Sequence, residues 1–68
     1  MYRAAVQTRS FSFDAYGETA TDAWITLCRG WDCHVKQTGA TLTWVELRED
    51  VVCEQVKPGV CYRDGEEI

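Results

Sequence analysis

The stretch FSFDAYGETATDAWITL, residues 11–27, changes its apolar period from two to nearly four within a few residues. Phe11, Phe13 and Ala15 alternate with polar positions, and this alternation predicts a half-buried β-strand. Gly17 then interrupts the alternation and ends the strand. The chain therefore passes from a strand into a helix through a short turn, and we take this transition as the centre of the fold.

Helix signals follow directly after Gly17. Thr19 is a favourable N-cap, and Asp22, three residues later, completes a pattern similar to a capping box. Apolar residues then recur at helical spacing and predict one buried stripe. The stripe consists of Ala20, Ala23, Trp24, Leu27 and Cys28. Trp24 lies within this stripe, so we predict that it is a core residue.

The end of the helix has two alternatives. Gly30 suits the C′ position because glycine accepts the left-handed conformation found there. In the other alternative the helix continues through Trp31 and Val35 to a stop at Gly39. We favour the end at Gly30, which makes Trp31 a plug over the last turn and predicts two strands around Thr38–Gly39.

Further strands are predicted on both sides of the helix. Residues 2–7 alternate weakly and form a hairpin with residues 11–16 through a tight link at Thr8–Ser10. The segment 42–47 is apolar on both sides, which leaves open whether Trp44 or the Val45 and Leu47 pair lies on the uncovered sheet face. Pro58 and Gly59 predict a turn that places Glu54 opposite Arg63 as a cross-strand ion pair.

These elements together predict an α+β fold. It consists of a β-hairpin, one α-helix and an antiparallel β-meander, with the helix packed on one face of a single antiparallel sheet. A chain of 68 residues forms one domain, residues 1–68, and we expect residues 63–68 to be a frayed tail.

The charge of the chain argues against two classes of partner. The net charge is −4 and the isoelectric point is about 4.7. Residues 37–68 carry all of this excess, with seven acidic and three basic side chains. An acidic chain does not displace counterions from phosphates or attach to an anionic membrane, so neither nucleic acid nor a membrane is the expected partner.

The cysteines suggest chemistry but do not have the spacing of a metal site. Residues 27–34, LCRGWDCH, hold two cysteines and the only histidine. The four cysteines, Cys28, Cys33, Cys53 and Cys61, are spaced C-x₄-C and C-x₇-C, whereas structural zinc sites favour two to four intervening residues. The N-terminus has no apolar signal segment, so we expect a reducing compartment, free thiols and no metal or other cofactor. His34 has no predicted orienting partner.

An interaction surface is predicted in the acidic half. Trp44 lies among charged residues, as aromatic anchors of protein interfaces do. The predicted partner-binding residues are Trp44, Glu46, Arg48, Glu49, Asp50 and Glu54.

The order of elements resembles that of a known group of proteins. The segment FSFDAYGETATDAWITL, with Ala23–Trp24 in the first part of the helix and an acidic run of strands after it, resembles very small phage and mobile-element proteins. These are the ββαββ-type anti-CRISPR and host-takeover proteins. The resemblance implies a protein without catalytic activity that binds a host protein or nuclease complex, sometimes by imitating DNA phosphates with carboxylates. It assigns no role to any individual residue.

The expected function is therefore a non-enzymatic one. We expect a small acidic protein that acts in the cytoplasm of a bacterial host cell, where it binds and modulates a host protein or nucleoprotein complex. The alternatives are a small zinc-stabilised module that uses the four cysteines, and a nucleic-acid binder that uses aromatic side chains on a sheet face. Homodimerisation remains open.

The first testable prediction concerns the cysteines. Because the spacing is unfavourable for zinc and no export signal is present, all four thiols should react when the protein is purified anaerobically without reductant and then denatured. Thiol titration and metal analysis measure this directly. Stoichiometric zinc, or a loss of two thiols, would contradict it.

Overall fold

The computed structural model describes residues 1–63 and 66–68, and it confirms the α+β fold. Within these residues a hairpin precedes one long helix, and a short helix and further strands follow. The strands and helices are β1 (Tyr2–Gln7), β2 (Ser12–Gly17), α1 (Ala20–Thr38), α2 (Trp44–Leu47), β3 (Val52–Gln55), β4 (Tyr62–Arg63) and β5 (Glu66–Glu67). A 3₁₀ turn, Arg48–Asp50, directly follows α2.

The main sheet has three antiparallel strands in the order β2-β1-β3, so β1 is central. Ala4 of β1 lies opposite Ala15 on one side and Cys53 on the other. Ala4 and Val6 are buried beneath α1, whereas Arg3 and Ala5 lie on the opposite face. The predicted alternation of β1 is therefore confirmed, and α1 covers one face of this sheet.

The predicted hairpin between β1 and β2 is also confirmed. The backbone N–H of Thr8 donates to the carbonyl of Phe11 over 2.7 Å. The hydroxyl of Thr8 in turn accepts from the N–H of Phe11 over 3.0 Å. A polar side chain thus closes the turn locally, which is why the turn is recognisable in the sequence.

Gly17 brings the end of β2 directly against the start of α1. A Cβ at this position would lie 2.5 Å from the backbone nitrogen of Ala23 and 2.7 Å from the Cβ of Asp22. Only glycine fits so close an approach. The side chain of Thr19 then caps the helix, since its hydroxyl accepts from the N–H of Asp22 over 3.1 Å, as predicted.

The prediction that the helix ends at Gly30 is wrong. Helix α1 continues to Thr38, and Gly39 is the left-handed residue at φ 69°, with its N–H donating to the carbonyl of Val35 over 2.8 Å. Glycine within a helix costs only about 1 kcal/mol relative to alanine, whereas full burial of a large side chain contributes about 1.5–3 kcal/mol. Continuing the helix places Trp31 on the same face as Leu27, so the burial outweighs the glycine.

The core tryptophan is therefore Trp31, and the prediction for Trp24 is wrong. Trp31 is 4% exposed, and it follows Ala23 and Leu27 at intervals of four residues. Its ring meets Phe13 edge-on at 5.4 Å between ring centroids. Trp24 is only half-buried, because it lies on the flank of the helix that faces α2.

The strands predicted around Thr38–Gly39 and over 42–47 are also wrong. The hydroxyl of Thr43 caps α2 by accepting from the N–H of Glu46 over 3.3 Å. The indole N–H of Trp31 donates to the carbonyl of Leu42 over 3.1 Å, which fixes the preceding loop against α1. A local cap and one long-range hydrogen bond thus favour a helical turn where the apolar pattern alone suggested a strand.

The C-terminal part pairs differently from the prediction. β3 pairs with β1, so Glu54 lies opposite Arg3, and the proposed ion pair between Glu54 and Arg63 is wrong. Gly59 has a φ of 74°, as the predicted turn requires. β4 and β5 pair with each other in a separate two-stranded ladder. The frayed tail at 63–68 remains a prediction, because residues 64 and 65 lie outside the described residues.

The two tryptophans of α1 should differ clearly in mutagenesis. Trp31→Ala removes a buried side chain and should cost about 3–5 kcal/mol, against a total stability of about 3–10 kcal/mol for a chain of this length. Trp24→Ala loses a half-buried contact and should cost about 1–2 kcal/mol. Thermal unfolding followed by circular dichroism measures both, and equal losses would contradict this assignment of the core.

Candidate binding surface

The segment 44–50 is one continuous helical stretch with two different sides. Leu47 is buried, and Trp44, three residues earlier in the sequence, packs against the core. Val45 is 60% exposed on the opposite side. The charged side chains of this segment are also exposed, namely Glu46, Arg48, Glu49 and Asp50. The structure thus brings together five of the six predicted partner-binding residues, on a helical stretch and not on a strand.

Trp44 also forms an aromatic pair with Trp24 of α1. The two rings meet edge-on, with 5.3 Å between their centroids and 73° between their planes. Both rings are half-buried, so the pair lies at the boundary between the core and the solvent. Trp44 therefore joins α2 to α1 and leaves only part of its surface exposed to solvent.

Glu54, the sixth predicted residue, lies on the face of the sheet that α1 does not cover. Its carboxylate pairs with the guanidinium of Arg3 on the neighbouring strand, where the two side chains are 34% and 15% exposed. The hydrogen bond to Glu54 raises the pKa of Arg3 above its ordinary value. Burial is the next-largest cause and lowers this pKa, while Tyr16 raises it again. Arg3 therefore stays charged at any pH near neutrality, and Glu54 is committed to an internal partner.

This uncovered face forms a shallow, open depression of about 710 Å³. Its lining contains three carboxylates, from Asp14, Asp50 and Glu54. Val52 also lines it and is 61% exposed. Since Asp50 belongs both to this depression and to the segment 44–50, the two surfaces are continuous.

The cysteines are distributed around the described chain. Cys28 is half-buried, whereas Cys33, Cys53 and Cys61 are exposed. The thiol of Cys53 lies 3.8 Å from the carbonyl of Ala20, at the start of α1. Among residues 1–63 and 66–68, no group of three or more His, Cys, Asp or Glu side chains is placed to hold a metal ion. The zinc-module alternative stays a hypothesis.

An aromatic cluster around His34 was not predicted from the sequence. The imidazole lies 4.9 Å from the ring centroids of both Phe11 and Phe13, and 5.1 Å from that of Trp31. His34 is half-buried on the helix. The sequence does contain a signal for this cluster. His34 follows Trp31 by three residues, so the two side chains share one face of the helix once the helix continues past Gly30.

Comparisons with known proteins give no relative. No protein-family model, no curated protein and no solved structure matches the chain. In the part of the chain that the structure describes, neither helix combines the length and the apolar character needed to cross a membrane.

The ion pair on the uncovered face leads to a stability prediction. Glu54→Gln should lower the free energy of unfolding by about 1 kcal/mol, because Arg3 then loses its ion pair with the carboxylate of Glu54 and solvent screens only part of this loss. Glu49→Gln, at an exposed position of the same charge, is the matched control and should change it by less than about 0.5 kcal/mol. Urea unfolding measures both. Equal effects would contradict a structural role for the pair.

Proposed function

We propose that this protein is a small, acidic, non-enzymatic binding protein that attaches to a basic surface of a host protein or nucleoprotein complex and modulates it. The surface that binds is the outer side of segment 44–50 together with the adjoining uncovered sheet face. We place its action in the cytoplasm of a bacterial host cell, and its origin in a phage, on the basis of the resemblance in element order that the sequence suggests to small phage proteins.

The observation that carries the proposal is the division of segment 44–50 into two sides. Trp44 and Leu47 turn inward and hold the segment against the core, while Val45 is exposed on a segment whose charged side chains, Glu46, Arg48, Glu49 and Asp50, are exposed too. An exposed apolar side chain among charged ones is the usual plan of a protein interface, where an apolar centre is enclosed by a polar rim, and three of these four charges are acidic. The stable inner side keeps this outer side in a fixed shape.

The uncovered sheet face enlarges the acidic surface. Among the described residues that line it, Arg3 is the one basic residue and is balanced by Glu54, so Asp14 and Asp50 leave the depression with a negative excess. Val52 adds a second exposed apolar side chain. This distribution favours a partner that brings lysine or arginine side chains to an otherwise apolar contact, and it disfavours a phosphate backbone.

The environment of His34 also supports a binding role over a catalytic one. A general base must lie within hydrogen-bonding reach of the group that it activates. The imidazole of His34 instead packs against the rings of Phe11, Phe13 and Trp31. We therefore assign this histidine to packing between α1 and the β1–β2 hairpin.

The test begins with capture of the partner from a bacterial lysate and continues with binding kinetics. The variant combines Glu46→Gln, Glu49→Gln and Asp50→Asn, and it retains Glu54 because that residue pairs with Arg3. Association at low salt should slow by about tenfold or more, and its dependence on salt should become weaker, because charges at the rim of an interface mainly steer the encounter. Val45→Ala should instead speed dissociation, since an apolar anchor sets the residence time.

The matched control removes the same charge elsewhere on the surface. It combines Glu18→Gln, Asp32→Asn and Glu66→Gln, all at exposed positions. This control should associate at close to the wild-type rate, and both triple variants should keep the wild-type circular dichroism spectrum. If the two triple variants behave alike, or if the first associates at the wild-type rate at low salt, the acidic surface is only solubilising and the proposal fails.

A further inference from the structure

Strand β2 presents an open edge of the sheet. Thr8 and Phe11 form a hydrogen-bonded pair, and in an antiparallel ladder such pairs alternate with pairs that are not bonded. The residues of β2 in the pairs that are not bonded are therefore Ser12, Asp14 and Tyr16. Their backbone N–H and C=O groups point away from β1. In the described part of the chain no strand pairs with this outer edge.

This edge has little of the usual protection against pairing with another chain. Natural edge strands are blunted by charged side chains, above all lysine, by proline, by a bulge or by a short length, and of these β2 has only the charge of Asp14. β2 has six residues, contains neither proline nor lysine, and pairs with β1 without a bulge. The carboxylate of Asp14 accepts a hydrogen bond from the hydroxyl of Tyr16 over 3.2 Å along the same face. Phe11, just before the strand, is 52% exposed.

Gly30 is a second feature that the single chain leaves unexplained. A Cβ at this exposed helical position would have no neighbouring heavy atom within 4 Å outside its own turn of the helix. Glycine here therefore weakens the helix without relieving any contact within the described chain. Gly30 precedes His34 by one turn, and His34 packs on Phe11 and Phe13, so Gly30 lies on the flank of α1 next to β2. A glycine at such a position permits the close approach of another backbone.

We propose that β2 pairs in an antiparallel manner with β2 of a second copy of this chain, and that α1 of the two copies cross closely at Gly30. The two three-stranded sheets then form one six-stranded sheet. Both helices lie on the same side of it. A second copy accounts for both the open edge of β2 and the exposed Gly30. Its β2 supplies the strand that pairs with this edge, and its α1 supplies the backbone that approaches Gly30.

The side chains of β2 select the register of this pairing. A two-fold axis at Asp14 would place two like charges directly opposite each other, which is unfavourable. An axis at Phe13 places Ser12 opposite Asp14 of the second copy and covers the exposed Phe11 with Ala15 of the second copy. The two Phe13 side chains then face each other in a pair without backbone hydrogen bonds, where side chains approach most closely. We therefore assign the axis to Phe13.

Sedimentation equilibrium of the full chain tests the proposal, with reductant present because Cys33 is exposed. The wild type should be a dimer. Asp14→Pro removes an outward N–H and leaves the hydrogen bonds to β1 intact, so it should raise the dissociation constant by about tenfold or more. Gln55→Pro is the matched control at the outer edge of β3, and it should leave the dissociation constant unchanged.

A second pair of variants tests the role of Gly30 without a risk of unfolding. Gly30→Gln introduces a better helix former, so it should raise the thermal midpoint of the monomer while it weakens the dimer by about tenfold or more. Thr21→Gln places the same side chain at an exposed position on the opposite side of α1, about 180° around the helix, and should leave the dimer intact. A wild type that stays monomeric up to its highest soluble concentration overturns the proposal. So does a dimer that resists both Asp14→Pro and Gly30→Gln. If the monomer instead takes up a strand from another protein, the second copy is the wrong occupant.

Discussion

The backbone contact between Gly17 and Ala23 is the constraint on which the rest of this structure depends. A Cβ at position 17 would lie 2.5 Å from the backbone nitrogen of Ala23, so the end of β2 and the first turn of α1 touch with no side chain between them. The cap formed by Thr19 fixes the helix start at the same place. Together they set the direction in which the helix leaves the sheet. The side chains that α1 turns toward β1 and β2 follow from this direction.

The layer between helix and sheet becomes larger along the helix. Near the contact, Ala4, Ala15 and Ala23 fill it with methyl groups only, and all three are buried. Farther along, Leu27 and then Trp31 fill the wider space, with the aromatic rings of Phe13 and His34 beside them. The indole N–H of Trp31 also holds the loop before α2 through the carbonyl of Leu42. One buried tryptophan thus links the helix, the hairpin and the segment that we propose as the binding surface.

The features that the sequence predicted correctly are those set by neighbouring residues. The Thr8–Phe11 turn, the Thr19 cap and the alternation of β1 and β2 each depend on residues within a few positions of one another. The end of α1 is not set by neighbouring residues in this way. The destabilising effect of Gly30 on the helix is local, whereas the burial of Trp31 depends on contacts with strands that lie far away in the sequence. The ion pair of Glu54 was missed for the same reason. Its partner Arg3 is 51 residues away, whereas the turn predicted at Pro58 and Gly59 suggested the nearer Arg63. The segment 42–47 was predicted as a strand because the Thr43 cap was overlooked, and the role of residues 44–50 in binding stays a prediction.

The continuation of α1 through Gly30 is the central claim, because it places Trp31 in the core, His34 beside the hairpin and Gly30 on the flank next to β2. Native-state amide hydrogen exchange, followed residue by residue by NMR, tests it most directly. The structure predicts that the amides of Trp31 to Val35 are protected to the same free energy as those of Leu27 and of the central strand residue Ala4. Rapid exchange from Trp31 onward, with protection retained up to Cys28, would show that the helix ends at Gly30 and would contradict this account.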